Sequence, residues 1–220
     1  MLMWNEDLLL PISEINELLL GVLRSRARSP QPHAPRLVAD LRELWCSIHD
    51  DALRGLSRCP YLLLDAGFAV PERWEPGRPC AAAEPGSPGT LDWPGNAAAG
   101  AGTGAAGAAG AAGAGAGYFE TWDGISMVRH ALVLARYLAR SHRSEARMLI
   151  ALQPACAELI ANRSLQDLET LAGLAPDWIQ PRWESQPLIW RQMLQAAIGG
   201  STDDLQRVQL RGLQLMALLW

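Results

Sequence analysis

From Gly95 to Gly117 the sequence is almost pure glycine and alanine, broken only by Asn96 and Thr103. Ordering such a tract costs backbone entropy at every glycine, and the alanine methyls offer little apolar area in return. The preceding residues, 76–94, carry prolines and glycines at irregular intervals and few core-forming side chains. A stretch of about 40 residues of this kind is too long for an ordinary loop inside a compact domain and has the composition of a linker. The expected organisation is therefore an N-terminal unit over 1–75, a flexible linker over 76–117 and a C-terminal unit over 118–220.

The chain has 220 residues, of which 49% are hydrophobic and only 19% charged. All 19 basic residues are arginines; with 23 acids they leave a net charge of -4, and the isoelectric point is near 5.6. Residues 118–220 hold ten arginines and ten acids, and residues 1–117 hold nine and thirteen. This balance supplies no broad positive field for non-specific nucleic-acid binding. Cys46, Cys59, Cys80 and Cys156 lack metal-ligand spacing and read as reduced, mostly buried thiols. Glu6 and Asp7 stand where a secretory signal would be basic, and no run approaches the roughly 18 apolar residues of a membrane span. The expected location is cytoplasmic.

Helical periodicity dominates both flanks of the linker. Beyond Thr121 or Asp123, each a potential N-cap, Leu132, Ala135, Leu138 and Ala139 form an apolar stripe. Arg129, Arg136, Arg140, Arg143 and Arg147 fall on a neighbouring face if the helix continues. Pro154 suits the first turn of a short helix through Cys156, Leu159 and Ile160. Ser164 and Asp167 have capping-box spacing ahead of Leu165, Leu168 and Leu171. Residues 178–183 read as extended or turn-like because Pro181 biases Gln180 away from helix. Pro187 then opens a helix carrying Leu188, Ile189, Met193 and Leu194, ended by Gly199 and Gly200. Ser201 with Asp204 caps a last helix whose apolar positions are Leu205, Val208, Leu213, Met216 and Leu219.

The N-terminal flank has a similar order: one helix through Ile15, Leu18, Leu19, Val22 and Leu23, then a second through Leu37, Leu41, Leu44 and Ile48. It closes on Pro71-Glu72-Arg73-Trp74-Glu75, echoed by Pro181-Arg182-Trp183-Glu184. The expected fold is all-α, with two similar small helical units, a degenerate duplication, pairing as a pseudo-symmetric dimer within one chain. A single helical domain with an insertion is the alternative.

The residues 132–138 (LVLARYL), 145–150 (EARMLI), 156–161 (CAELIA), 164–172 (SLQDLETLA) and 203–208 (DDLQRV) resemble the flagellar transcriptional activator subunit FlhD and its relatives. The first half resembles the same family more faintly, through 12–20 (ISEINELLL) and 51–56 (DALRGL). The resemblance implies a nearly all-helical FlhD-like protein that dimerises through interlocked helices. It also implies a role in transcription regulation and flagellum biogenesis, beside a zinc-binding FlhC-like partner subunit. No cysteine stands between Trp178 and Trp183, where the family carries one, so an intersubunit disulfide is not carried over.

No catalytic site, metal site or cofactor is expected. His33, His49, His130 and His142 are dispersed, and no nucleophile elbow or phosphate loop occurs. The candidate DNA or partner contacts are Arg129, Arg136, Arg140, Arg143, Arg147 and Arg163, because guanidinium groups suit phosphate and base edges. A solvated, salt-bridged helix face accounts for the same residues. Among nine tryptophans, Trp74, Trp183, Trp190 and Trp220 are the candidate interface anchors. The expected function is that of a non-enzymatic regulator that binds a partner protein, with DNA as a weaker candidate ligand and further oligomerisation open. The alternative is a structural or assembly adaptor that binds no nucleic acid.

Overall fold

The structure, a computed structural model, describes residues 6–29, 34–71, 74, 118–174 and 178–218. The linker expected over 76–117 lies outside the described residues, as do Cys80 and Trp220. The fold is all-α. Before the linker come α1 (Glu6–Arg28), α2 (Arg36–Asp40), α3 (Arg42–Ser47) and α4 (Asp50–Ser57), followed by the short strand β1 (Leu64–Asp65). After it come α5 (Thr121–Ser141), α6 (Arg143–Ile150), α7 (Pro154–Ala161) and α8 (Leu165–Leu174). The strand β2 (Gln180–Pro181) and helices α9 (Pro187–Gly199) and α10 (Thr202–Ala217) complete the order.

The long first helix of each flank organises it. Leu8, Ile12, Ile15, Leu19, Leu20, Leu23 and Ala27 put one buried stripe along α1. Met127, Val128, Ala131, Leu132, Leu134, Ala135, Leu138 and Ala139 put a wider one along α5, including all four residues expected there. The two helices pack on each other; α3 and α4 lie against α1, and α6, α7 and α8 lie against α5. Helix α9 crosses back onto α3 and α4, while α10 packs on α9 and α6. One hydrophobic core results, drawn from both sides of the linker. Removing a leucine or isoleucine side chain from water contributes about 1.5–3 kcal/mol, so this shared core is a main source of cohesion between the flanks.

Several local expectations are corrected. The helix expected through Leu37 and Ile48 is divided at Leu41, whose φ of -114° and ψ of 17° separate α2 from α3. Helix α5 begins at Thr121 with Glu120 at its N-cap, and neither Thr121 nor Asp123 occupies that position. Leu188 is exposed because the buried face of α9 runs through Ile189, Trp190, Met193 and Leu194, whereas Leu165, on the same side of α8 as the buried Leu168 and Ala172, is exposed as the first residue of that helix. The two expected caps form. Ser164 N–H donates to Asp167 Oδ2 at 3.0 Å while Asp167 N–H donates to Ser164 Oγ at 3.1 Å, a reciprocal capping box. Asp204 N–H donates to Ser201 Oγ at 3.3 Å. Cys59 and Cys156 are buried, whereas Cys46 is exposed.

Residues 61–64 cross the centre of the molecule, and all four side chains are buried. Their backbone polar groups, removed from water, require internal partners. Asn16 of α1, itself fully buried, supplies three contacts: its Nδ2 donates to Tyr61 O (2.9 Å) and Ser57 O (3.2 Å), and its Oδ1 accepts from Leu63 N–H (2.8 Å). Arg182 supplies the other side. Its backbone N–H donates to Leu63 O at 2.7 Å, its Nε to Leu62 O at 2.9 Å and its Nη2 to Leu64 O at 3.0 Å. The same Nη2 reaches Ile150 O at 3.2 Å, at the end of α6. Leu62 N–H donates to Leu149 O at 2.8 Å. Strand β1 pairs antiparallel with β2, Leu64 opposite Pro181 and Asp65 opposite Gln180. The segment is thus held by residues from both sides of the linker.

Candidate interaction surface

The six candidate arginines do not form one free cationic face. Arg136 Nε donates to Arg163 O at 2.8 Å, and Arg163 Nη2 donates to Trp74 O at 2.6 Å, so these two join α5, the turn before α8 and the end of the N-terminal flank. Arg129 on α5 pairs with Glu169 on α8 at 2.7 Å. Arg143 Nε donates to Ala139 O at 3.2 Å, closing the last turn of α5. Arg140 and Arg147 are exposed. Arg140 has no hydrogen-bonding or ion-pair partner among the described residues.

The outward face of α5 is more apolar than its arginine spacing implies. Trp122, Val133 and Tyr137 are exposed, Trp122 by 78%. Their separations of eleven and four residues, with Arg140 three residues further on, bring them to one side of a helix of 3.6 residues per turn. Val133, Tyr137 and Arg140 are neighbours, an apolar, aromatic and arginine combination of the kind enriched in protein-binding hot spots, while Trp122 lies three turns before Val133 with Ser126 and Arg129 between them on the same side. At the end of this face, Tyr137 Oη lies 3.4 Å from His142 Nε2, and His142 Nδ1 lies 3.9 Å from Glu145 Oε1. The Ser144 hydroxyl donates to Glu145 Oε2 at 2.7 Å and, with lesser help from its own backbone and His142, holds the carboxyl below its ordinary pKa.

The tryptophan anchors have divergent surroundings. Trp74 is buried, stacked on Phe68 at 5.8 Å and met edge-on by Trp178 at 5.4 Å, with its Nε1 donating to Gly67 O at 3.2 Å. Trp183 is half-buried, meets Tyr61 edge-on at 5.7 Å and has a φ of 56°. The Arg-Trp-Glu echo therefore does not give the two indoles equivalent environments, although each touches an aromatic ring from the other flank. Trp190 is buried against Trp45 at 5.7 Å, and its Nε1 donates to Arg182 O at 2.6 Å. Trp74 and Trp190 thus serve the interior of this chain.

Asn16 and Arg182 are not among the residues singled out by periodicity or motif. Arg182 lies inside the Pro-Arg-Trp-Glu echo, next to the indole of Trp183. Burial pushes its guanidinium pKa downward, opposed by the charge of Asp65. Among the described residues no three His, Cys, Asp or Glu side chains converge as metal ligands, and no helix is long and apolar enough to cross a membrane. No family model, curated protein or solved structure matches the chain.

Proposed function

We propose that this chain is a non-enzymatic adaptor that binds a protein partner through the outer face of α5. The observation that carries the reading is the exposed Val133 and Tyr137 with Arg140, which has no partner among the described residues, one turn on, and exposed Trp122 further along the same side. A complementary partner presents an apolar patch bordered by carboxylates, since tryptophan and tyrosine bury large areas and arginine binds carboxylate in two-pronged fashion. The FlhD resemblance makes a zinc-binding FlhC-like subunit the first partner to test, and transcription regulation in flagellum biogenesis the first setting. An internal pseudo-dimer belongs to the same reading and rests on the long helix with short helices against it in each flank, with α9 and α10 as additions that follow the linker.

Engagement of Arg129, Arg136, Arg143 and Arg163 within the chain favours the adaptor over a DNA-reading protein. The test pairs two measurements. Tagged chain purified from its native cell is expected to retain a stoichiometric partner that Tyr137→Asp releases while circular dichroism stays unchanged. A DNA titration at low salt is expected to show no binding. Salt-sensitive DNA affinity lost on replacing Arg140 and Arg143 would instead support the regulator acting at DNA, and partner retention by Tyr137→Asp would remove α5 as the site.

A further inference from the structure

Helix α10 is covered on one side only. Gly212 and Met216 are its buried residues. A Cβ at Gly212 would overlap the Tyr61 hydroxyl, and one at Gly55 of α4 would lie 3.6 Å from Leu205, which fixes the inward side of the helix. The opposite side carries Arg207, Leu210, Gln214 and Leu218 at spacings of three, four and four residues. Leu210 and Leu218 are each 58% exposed. Between this ridge and α9 runs an open groove of about 690 Å³, floored by Ala196 and Val208 and edged by Gln192, Asp204 and Arg211.

We propose that the α9–α10 groove receives α10 of a second copy of this chain, antiparallel about a two-fold axis. Charge order along the helix selects this occupant and orientation. Asp203 and Asp204 open α10, and Arg207 and Arg211 follow one and two turns later. A parallel neighbour sets like charge against like. In the antiparallel arrangement Asp204 of each copy meets Arg211 of the other and Gln214 meets Ser201, while the two Arg207 side chains flank the two-fold, each held by its own Asp204 and with its aliphatic stem beside Val208. A two-fold makes each of these contacts twice, and one self-complementary patch suffices. The existing contacts leave these groups available: Arg207 pairs with Asp204 at 2.7 Å and Arg211 donates to Gln192 at 2.9 Å, both at exposed positions where such pairs contribute little.

Sedimentation velocity on the full chain over a concentration series tests the proposal. The unmodified chain is expected to dimerise. Arg211→Asp sets carboxylates against each other twice and is expected to raise the dimer Kd by at least about tenfold. Adding Asp204→Arg reverses both partners and is expected to restore association. Leu210→Glu, also at an exposed position, gives an independent route to the same weakening if Arg211→Asp lowers the helical signal. A chain monomeric at every concentration, a dimer indifferent to Arg211→Asp and Leu210→Glu, or a well-folded double variant that stays as weak as the single one would each overturn the proposal.

Discussion

Replacing Asn16 by alanine removes three hydrogen bonds at once, each to backbone of the 57–63 segment. The side chain is fully buried, so water cannot take its place without opening the core. A buried polar group left without a partner costs about 1–3 kcal/mol. Some relaxation around the small cavity reduces the sum for Ser57 O, Tyr61 O and Leu63 N–H, and a loss of roughly 3–5 kcal/mol is expected. Domains of this kind are stable by only about 5–15 kcal/mol, so the loss is a large fraction of the whole. Urea unfolding followed by circular dichroism measures it, as a lower midpoint at nearly unchanged slope. Asn16→Leu separates polarity from volume. It refills the space but leaves all three backbone groups unpaired, and it is expected to be destabilising as well. Glu17→Ala, one position along and exposed, is expected to change stability by under about 0.5 kcal/mol. A cost below about 1 kcal/mol for Asn16→Ala, or a gain for Asn16→Leu, would refute the role given to this clamp.

Two glycines offer a paired test. Gly21 lies within α1 with open space where a Cβ would stand, so Gly21→Ala is expected to stabilise by about 0.5–1 kcal/mol through helix propensity. Gly212→Ala drives a methyl into the Tyr61 ring and is expected to cost at least about 1–3 kcal/mol in the same melts. Burial pushes the Cys59 thiol from an ordinary value of 9.0 up to about 12. The folded state therefore keeps this proton after the unfolded chain has lost it, and the associated stability, complete below pH 9.0, is lost as pH rises toward about 12. Cys59→Ala is expected to flatten that alkaline decline, and a thiol reagent at neutral pH is expected to modify exposed Cys46 well before Cys59.

What the sequence made legible was local. The apolar stripe of α5, the caps at Ser164 and Ser201, and the proline starts of α7 and α9 follow from 3.6-residue periodicity and from chemistry within one helical turn. Leu188 and Leu165 are exposed for different reasons: Leu188 lies on the opposite side of α9 from Ile189, Trp190, Met193, Leu194 and Ala197, and Leu165 shares the side of Leu168 and Ala172 but stands at the first position of α8, where the core does not reach it. The central clamp was not legible. Asn16 sits on α1 among leucines and isoleucines, and nothing nearby in sequence shows that its amide will meet backbone more than 40 residues away. Arg182 likewise satisfies carbonyls at Leu62 and Leu64, across the linker. The arginine face was half legible: its helical spacing is real, yet Arg136 and Arg163 bind backbone carbonyls that only the folded arrangement brings within reach.

The two flanks complete one another around residues 61–64, and separating them reveals whether either folds without the other. Residues 1–75 and 118–220, prepared as two chains, are expected to show reduced helicity and no cooperative urea transition when alone. Mixed in equal amounts, they are expected to regain the helical signal and a single transition, and Arg182→Ala in the second chain is expected to weaken that recovery. Either chain unfolding cooperatively by itself with its full helical content, or a mixture no more helical than its parts, would contradict the account.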